Sequence, residues 1–254
     1  LIVYGITPRK CRNLTLLVGS IVFYAMGDVR YLPLLMISIL CNYFLGLHLA
    51  KRSPKTLWRK KLLLILTLGA NLAVLLWFKD WGGSAGLPLG ISFYTFQILS
   101  YQIDVYRGEV SREYSFLKFA TYVSMFPKLI SGPITRYGDI SDSLTERTFT
   151  VRGLEDGMKL FKVLLADRVG ILWHEVQVTG FESISTPLAW LAAIAYSMEI
   201  YFDFWGYSLM AMGLGRMMGI ELPANFRRPY MARSVRDFYR RWHMTLGQWF
   251  CRYV

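Results

Sequence analysis

The sequence has little charge and little cysteine. Only 18% of its 254 residues are charged, against about 25% in an average soluble domain. Three cysteines are too few, and odd in number, for a disulfide-stapled secreted scaffold. Acidic residues are scarcer than basic ones, 17 against 29, which gives a formal net charge of +12. A disordered chain is excluded as well, because 54% of the residues are hydrophobic and 16% are aromatic.

Long apolar runs occupy much of the chain. The ranges 31–50 and 62–78 contain no acid, lysine or arginine, and they approach the roughly 20 residues that cross a hydrocarbon core about 30 Å thick. The ranges 87–103 and 186–202 are further candidates, the second with one acid, Glu199. The pattern predicts an all-α fold, a polytopic transmembrane helical bundle. Weaker candidates complete the set: 14–27, 116–134, 158–173 and 204–220.

Basic residues cluster in alternate connections between these runs. The connection 51–61 holds six lysines and arginines and 104–118 holds three, whereas 79–86 holds one. The positive-inside bias places 51–61 and 104–118 in the cytoplasm and 79–86 outside. We therefore expect a multi-pass protein of the cytoplasmic membrane, with the lipid bilayer as a partner. No nucleic-acid partner is expected, because the positive charges flank apolar spans rather than forming one stripe.

Small residues recur at every fourth position near the end of one apolar run. Ala211, Gly215 and Gly219 follow this spacing, which lets membrane helices approach each other closely. The spacing predicts a helix-packing surface. The histidines lack the spacing of zinc ligands, so no metal site is expected: His48, His174 and His243.

Two polar segments interrupt the apolar runs. The range 88–97 begins with Pro88 and Gly90; it is either a kinked helix whose hydroxyls bond neighbouring helices or the lining of a cavity. The range 125–137 combines Pro127, Lys128 and two further helix-breaking residues. Irregular backbone at membrane depth persists only where protein or a water-filled cavity satisfies its polar groups. A broken or re-entrant helix is expected there.

A third polar segment carries most of the candidate chemistry. Asp203 follows an apolar run, and ionisable residues in that position often line functional cavities. The range 227–241 holds six arginines and one acid. It is either an amphipathic helix at the membrane interface or a basic mouth for a phosphate-bearing substrate, since arginine matches phosphate geometry well.

His243 follows this basic range. On one continuous helix, Arg236, Arg240 and His243 would share a face, and the neighbouring cations would keep the imidazole neutral. A neutral histidine can accept a proton from a hydroxyl group. A lone histidine is nevertheless structural more often than catalytic.

In these segments the sequence resembles the membrane-bound O-acyltransferase family, and within it most closely the branch that O-acetylates alginate. The motifs that carry the resemblance occur in the order and spacing of that family. They are PLGISFYTFQILSYQIDVYRG (88–108), FPKLISGPITRY (126–137), YFDFWGYSLMAMGLGRMMGIELPANFRRPY (201–230) and SVRDFYRRWHMTLGQWF (234–250).

The resemblance implies a multi-span enzyme that takes an acyl group from a thioester donor. The donor is a substrate of the coenzyme A or phosphopantetheine type, and no permanently bound cofactor is expected. The acyl group, with acetyl the expected one, passes to hydroxyls of an extracytoplasmic polysaccharide, either directly or through an extracytoplasmic acetyl-transfer partner protein. Many relatives read FDFSGYSDMA where this chain has Trp205 and Leu209, which weakens the choice of alginate over other glycans.

The resemblance also implies roles for individual residues. His243 corresponds to the first of two family histidines, and the second, the usual base, is expected beyond Val254. The range 1–254 is therefore expected to be a single domain that is incomplete at both ends. Residues expected to bind the substrate or the donor are Arg240, Arg241, Trp242, Asn225, Asp203 and Arg136. Two alternatives remain, a transporter or channel, which also uses broken helices, and a non-catalytic membrane scaffold.

Overall fold

A computed structural model describes residues 2–49, 57–81, 86–147, 174–175, 177–178 and 185–254. The regular elements in these ranges are helices, as the sequence predicts. The α-helices are α1 (Ile2–Ile6), α2 (Arg12–Asp28), α3 (Leu32–Leu49), α4 (Leu57–Leu76), α5 (Ile91–Arg107), α6 (Phe116–Ser124), α7 (Phe126–Leu129), α8 (Tyr137–Thr145), α9 (Thr186–Met217), α10 (Val235–Arg241) and α11 (Met244–Tyr253).

Two stretches are long and apolar enough to cross a membrane. They are Arg9–Leu49, which contains α2 and α3 joined by a 3₁₀ turn, and Trp58–Asp80, which contains most of α4. The predicted runs 31–50 and 62–78 fall on α3 and α4. Arg59 lies inside the first turn of α4 rather than in the connection before it, so basic side chains start this apolar helix.

Helix α9 is longer than the sequence pattern indicates. The two runs 186–202 and 204–220 form one helix of 32 residues that passes through Asp203 without a break. Helical backbone continues there because the acid and the glycine at Gly206 are single interruptions in an otherwise good helix-forming sequence. The remaining weak candidate, 158–173, lies outside the described residues.

Helix α9 ends in a glycine turn. Gly219 has φ +75°, its N–H donates to the carbonyl of Arg216 (3.0 Å), and the N–H of Ile220 donates to the carbonyl of Gly215 (2.8 Å). This pair of bonds is the Schellman motif that closes helices. The prediction that Gly219 extends a helix-packing surface is therefore wrong. At Gly215 a Cβ would lie 2.8 Å from the carbonyl oxygen of Ile220, so its small size serves the same turn.

Helix α5 occupies the centre of the fold and packs against α3, α4 and α6. It begins after Gly90, which has φ +68° and where a Cβ would lie 2.2 Å from the carbonyl oxygen of Leu129 in α7. One of its buried polar side chains reaches a neighbouring helix, since Gln102 Nε2 donates to the carbonyl of Asn42 in α3 (2.7 Å). Pro88 and Gly90, which led to the prediction of a kinked helix or a cavity lining, therefore precede the first residue of a helix that rests on α7.

The apolar run 116–134 is broken, as predicted. Helix α6 ends at Ser124, Met125 takes φ −52° and ψ +110°, and the four-residue α7 follows. The irregular segment after α7 is held by Lys128, which is fully buried and donates from Nζ to Thr135 Oγ1 (2.9 Å). The same ammonium lies 4.0 Å from the ring centroid of Tyr122. Protein groups therefore satisfy the polar atoms of this break.

Candidate functional site

His243 lies in a sharp turn between two helices. Helix α10 ends at Arg241, Trp242 is extended, and His243 takes φ +43° and ψ +53° before α11 begins. A positive φ is uncommon for residues other than glycine, and such strained backbone often occurs at functional sites. The prediction that Arg236, Arg240 and His243 share one helical face is wrong, because the helix ends before the histidine.

The imidazole of His243 is the end of a short chain of hydrogen bonds. Its Nδ1 lies 3.3 Å from Asn225 Oδ1. The same oxygen accepts a hydrogen bond from Thr245 Oγ1 (2.6 Å), and Thr245 Oγ1 in turn accepts from the backbone N–H of Ile134 (3.1 Å). Asn225 is 1% exposed and Thr245 is buried. These hydrogen bonds therefore connect the irregular segment after α7 to the imidazole.

This chain determines which imidazole nitrogen carries the proton. Asn225 Oδ1 can only accept hydrogen bonds, so Nδ1 of His243 is the donor and Nε2 keeps a free lone pair in the neutral ring. Burial lowers the pKa of His243 below its ordinary value, which favours that neutral form. Phe204 contributes to the burial with its ring edge-on to the imidazole, 4.8 Å between centroids. Burial, and not the neighbouring arginines, thus keeps the histidine neutral.

Two backbone hydrogen bonds fix the segment that carries Asn225. The N–H of Met244 donates to the carbonyl of Asn225 (2.9 Å), and the N–H of Arg227 donates to the carbonyl of Arg241 (3.0 Å). The side-chain amide nitrogen of Asn225 is buried and makes no hydrogen bond to any described residue. The position of Asn225 relative to His243 is therefore set by backbone on both sides.

A cavity of about 470 Å³ lies beside this chain of hydrogen bonds. Thr245 belongs to both the cavity wall and the hydrogen-bond chain. Arg136 and Arg252 bring two cations to the cavity, and Arg136 is held by Asp139 through Nη2 to Oδ1 (2.6 Å) and Nε to Oδ2 (3.1 Å). The other lining residues are Ile134, Pro223, Gln248, Trp249 and Cys251. A cavity of this size accommodates a small ligand.

The family model described as "MBOAT, membrane-bound O-acyltransferase family" matches residues 48–254. That range contains His243, Asn225, Thr245 and the whole cavity lining. The chain belongs to the membrane-bound O-acyltransferase family. The resemblance inferred from the motifs is thereby confirmed, and with the two apolar helical stretches it makes this a membrane protein.

Several curated relatives of this membrane-bound O-acyltransferase family member carry enzyme names. A protein of Pseudomonas putida named a probable alginate O-acetylase is 38% identical over 277 residues, which cover 99% of this chain and 56% of that protein. The peptidoglycan O-acetyltransferase of Helicobacter pylori is 34% identical over 95% of this chain and 55% of its own length. A teichoic acid D-alanyltransferase of Bacillus subtilis is 29% identical over 65% of this chain and 44% of its own length. The chain spans about half the length of the curated relatives it matches.

Trp242, a predicted binding residue of this family member, lies in an aromatic cluster. Its ring stacks on Phe238 (5.5 Å between centroids, 17°) and meets Phe226 edge-on (5.0 Å). Tyr201 and Tyr230 complete the cluster, and the Tyr230 hydroxyl donates to the carbonyl of Ser197 in α9 (2.8 Å). Trp242 therefore joins α10 to α9, and this packing explains why its backbone is extended.

The predicted charged residues are not all brought to the imidazole. Arg241 Nε pairs with Asp237 Oδ1 (2.9 Å), and this hydrogen bond lowers the pKa of the Asp237 carboxyl. Arg240 and Asp203 are exposed and make no hydrogen bond or ion pair with the described part of the chain. Asp203 directly precedes Phe204, whose ring contacts the His243 imidazole, but Asp203 itself makes no such contact.

Sequence reasoning missed Thr245, Phe204 and the backbone N–H of Ile134. Thr245 could have been found, since a hydroxyl at the second position of a helix that follows a candidate histidine is a plausible hydrogen-bond partner. Phe204 lies inside a quoted motif but is one of several aromatic residues there. The role of Ile134 has no signal in sequence, because it depends on a main-chain N–H group whose hydrogen-bond partner, Thr245, lies 111 residues away along the chain.

Proposed function

We propose that the protein containing this chain is a membrane O-acyltransferase. It moves an acyl group, acetyl in the expected case, from a cytoplasmic thioester donor to hydroxyl groups of an extracytoplasmic polysaccharide. The observation that carries the proposal is the series of hydrogen bonds from Thr245 through Asn225 to His243. It leaves Nε2 of a neutral imidazole as a proton acceptor. The names of the alginate and peptidoglycan relatives supply the acceptor class.

The proposed chemistry is acyl transfer with proton transfer to a base. The acceptor hydroxyl oxygen attacks the thioester carbonyl carbon; a C–O bond forms and the C–S bond breaks. The hydroxyl proton passes to an imidazole and then to the departing thiolate, so atoms and charge balance. The family resemblance assigns the main base to a second histidine, and His243 acts with it. Asn225 holds the His243 ring in the tautomer that accepts at Nε2.

The donor side of the site is proposed to face the cytoplasm. Arg107, at the end of α5, donates from Nη1 to the carbonyl of Arg252 in the cavity wall (3.2 Å). The connection 104–118, with three lysines and arginines, is one of the two that the positive-inside bias assigns to the cytoplasm. Arg136 and Arg252 therefore offer cations to the phosphate groups of a coenzyme A or phosphopantetheine donor entering from that side. The protein is proposed to be multi-pass in the cytoplasmic membrane, with an extracytoplasmic partner protein receiving the acyl group where the glycan is not reached directly.

The test is His243→Ala in the full-length protein. We expect O-acylation of the glycan to fall sharply without loss of folded protein, because one of the two proposed histidines is removed. His48→Ala is the matched control, since His48 is exposed and, among the described residues, bonds only within its own helix, from Nδ1 to the Phe44 carbonyl (2.8 Å). Unchanged O-acylation in His243→Ala at equal expression would remove His243 from the mechanism.

A purified sample separates the proposal from its two alternatives. The full-length protein in liposomes, given a labelled acetyl thioester, is expected to release free thiol in proportion to O-acylated acceptor. Movement of a substrate across the bilayer without thiol release would indicate a transporter. Partner binding that survives His243→Ala, with no thiol release from either form, would indicate a scaffold.

A further inference from the structure

A second cavity, of about 570 Å³, lies away from the imidazole, where α2, α6 and α8 meet. Five cationic side chains line it, against one acid, Glu146. None of the residues discussed above for acyl transfer belongs to its wall. The cations are Arg9, Lys10, Arg12, Lys118 and Arg147.

Arg147 is the innermost of these cations, with 8% of its surface exposed. Its guanidinium donates to neutral acceptors only: Nε to the carbonyl of Ser143 (2.6 Å), Nη1 to Tyr4 Oη (2.9 Å), and Nη2 to Asn13 Oδ1. Within the ranges that the structure describes, no carboxylate lies within 4 Å of it. A buried cation is costly unless an anion is near, and among the described residues this guanidinium has only neutral hydrogen-bond partners.

The position of the cavity indicates which kind of anion it could bind. Arg9 and Lys10 are exposed and stand at the start of Arg9–Leu49, the first stretch able to cross a membrane. A cavity at the end of an apolar span lies at the membrane–water boundary, where the phosphates of lipid headgroups are found. Lys118 joins from the connection 104–118, and Lys118 Nζ donates to Thr145 Oγ1 on the opposite wall (3.1 Å).

We infer that this cavity binds a phosphate-ester anion. The cations at its mouth attract the anion, and the Arg147 guanidinium fixes it from within. Two sources have this chemistry: the headgroup of an anionic phospholipid in the surrounding leaflet, and a phosphate-bearing compound in solution. This inference is independent of the proposed acyl transfer, because the two cavities share no residue.

The test compares two double variants of the purified full-length protein. Arg9→Gln/Lys10→Gln removes two exposed cations at the cavity. Arg59→Gln/Lys61→Gln removes two exposed cations in the first turn of α4, so both variants lose the same charge at the start of an apolar helix. Binding of phosphatidylglycerol and of phosphatidylcholine in mixed micelles is measured by native mass spectrometry, with inorganic phosphate as the competitor.

We expect the cavity variant to lose phosphatidylglycerol affinity on the order of tenfold, since each basic residue near an anionic headgroup contributes a severalfold factor. The α4 variant should keep wild-type affinity, and phosphatidylcholine should show no difference between variants. Displacement of the lipid by millimolar phosphate, with the same dependence on Arg9 and Lys10, would support the cavity and assign a soluble source. Equal losses in both double variants, or no loss in either, would overturn the inference.

Discussion

At the scale of single residues, the hydroxyl of Thr245 is the group that joins the cavity to the imidazole. Thr245→Val removes one hydrogen bond to the Ile134 N–H and one to Asn225 Oδ1 at nearly constant volume. We expect O-acylation by the full-length protein to fall on the order of tenfold or more, because an unmade buried hydrogen bond costs about 1–3 kcal/mol. Thr245→Ser keeps both bonds and is the control. Equal activities for the valine and serine variants would show that the hydroxyl is dispensable.

Asn225→Asp tests the tautomer argument through pH. Burial lowers the pKa of His243, so the ring binds a proton less readily and stays neutral as the pH falls through its ordinary value of 6.5. A carboxylate at position 225 favours the imidazolium and raises that pKa. Histidine-selective ¹³C labelling, with His243→Ala to assign the signal, measures both titrations by NMR. We expect the midpoint to move to higher pH in Asn225→Asp, and an unmoved midpoint would mean that residue 225 does not face the ring in solution.

The sequence predicted the position of some site residues correctly and of others wrongly. His243 and Asn225 do lie together, and both stand in motifs that carry the family resemblance. The proposed cause of the neutral imidazole was wrong, because spacing along a helix has meaning only while the helix continues, and α10 ends at Arg241. Exposure of Arg240 and Asp203 likewise depends on tertiary packing, which charge and hydropathy along the chain do not record.

At the scale of elements, the contact between the start of α5 and α7 is close enough to test with one methyl group. Gly90→Ala places a Cβ 2.2 Å from the Leu129 carbonyl oxygen at a positive φ. We expect a loss of stability of about 1–3 kcal/mol or more, from strained backbone and overlap together. Gly19→Ala in α2 is the control, because its Cβ meets nothing within 4 Å. The measurement is the thermal unfolding midpoint in detergent, and similar midpoints for the two variants would contradict the contact.

Elements were predicted best where a long apolar run or a strong helix breaker was present. The runs on α3 and α4, and the break between α6 and α7, follow from hydropathy and from Pro127. Helix α9 was predicted as two runs because Asp203 interrupts the apolar pattern, yet one acid does not end a helix. The sequence predicts a helix-packing surface at Gly219, whereas the structure has a turn there. Glycine is common in both settings, and only the backbone dihedral angles distinguish them.

At the scale of the whole molecule, the orientation in the membrane is a prediction that the distribution of lysine and arginine makes testable. We expect Ser84→Cys, in the neutral connection 79–86, to react with a membrane-impermeant maleimide in intact cells. Ser53→Cys, in the basic connection 51–61, should react only after permeabilisation. Both variants are made after the three native cysteines are replaced, because Cys11, Cys41 and Cys251 are exposed. Labelling of Ser53→Cys in intact cells would reverse the orientation and with it the proposed cytoplasmic donor side.

The family was predictable from this sequence because its motifs keep their order over most of the chain, and the match over 48–254 confirms it. The two cavities could not be predicted from the sequence, since each is built from segments far apart along the chain. The wall at Arg136 and Arg252, for example, joins the segment after α7 to the end of α11. Side chains that meet only in the folded state have no common signal in hydropathy or in motif spacing.

Thr245 belongs both to the wall of the cavity of about 470 Å³ and to the hydrogen bonds that orient His243. A ligand that draws the Thr245 hydroxyl toward itself takes the proton away from Asn225 Oδ1. The Asn225 amide would then lose one of the bonds that orient it, and with it the fixed acceptor of the imidazole. We therefore expect a ligand in the cavity that bonds Thr245 to change the site of protonation on His243, because both depend on the same two hydrogen bonds to Asn225 Oδ1.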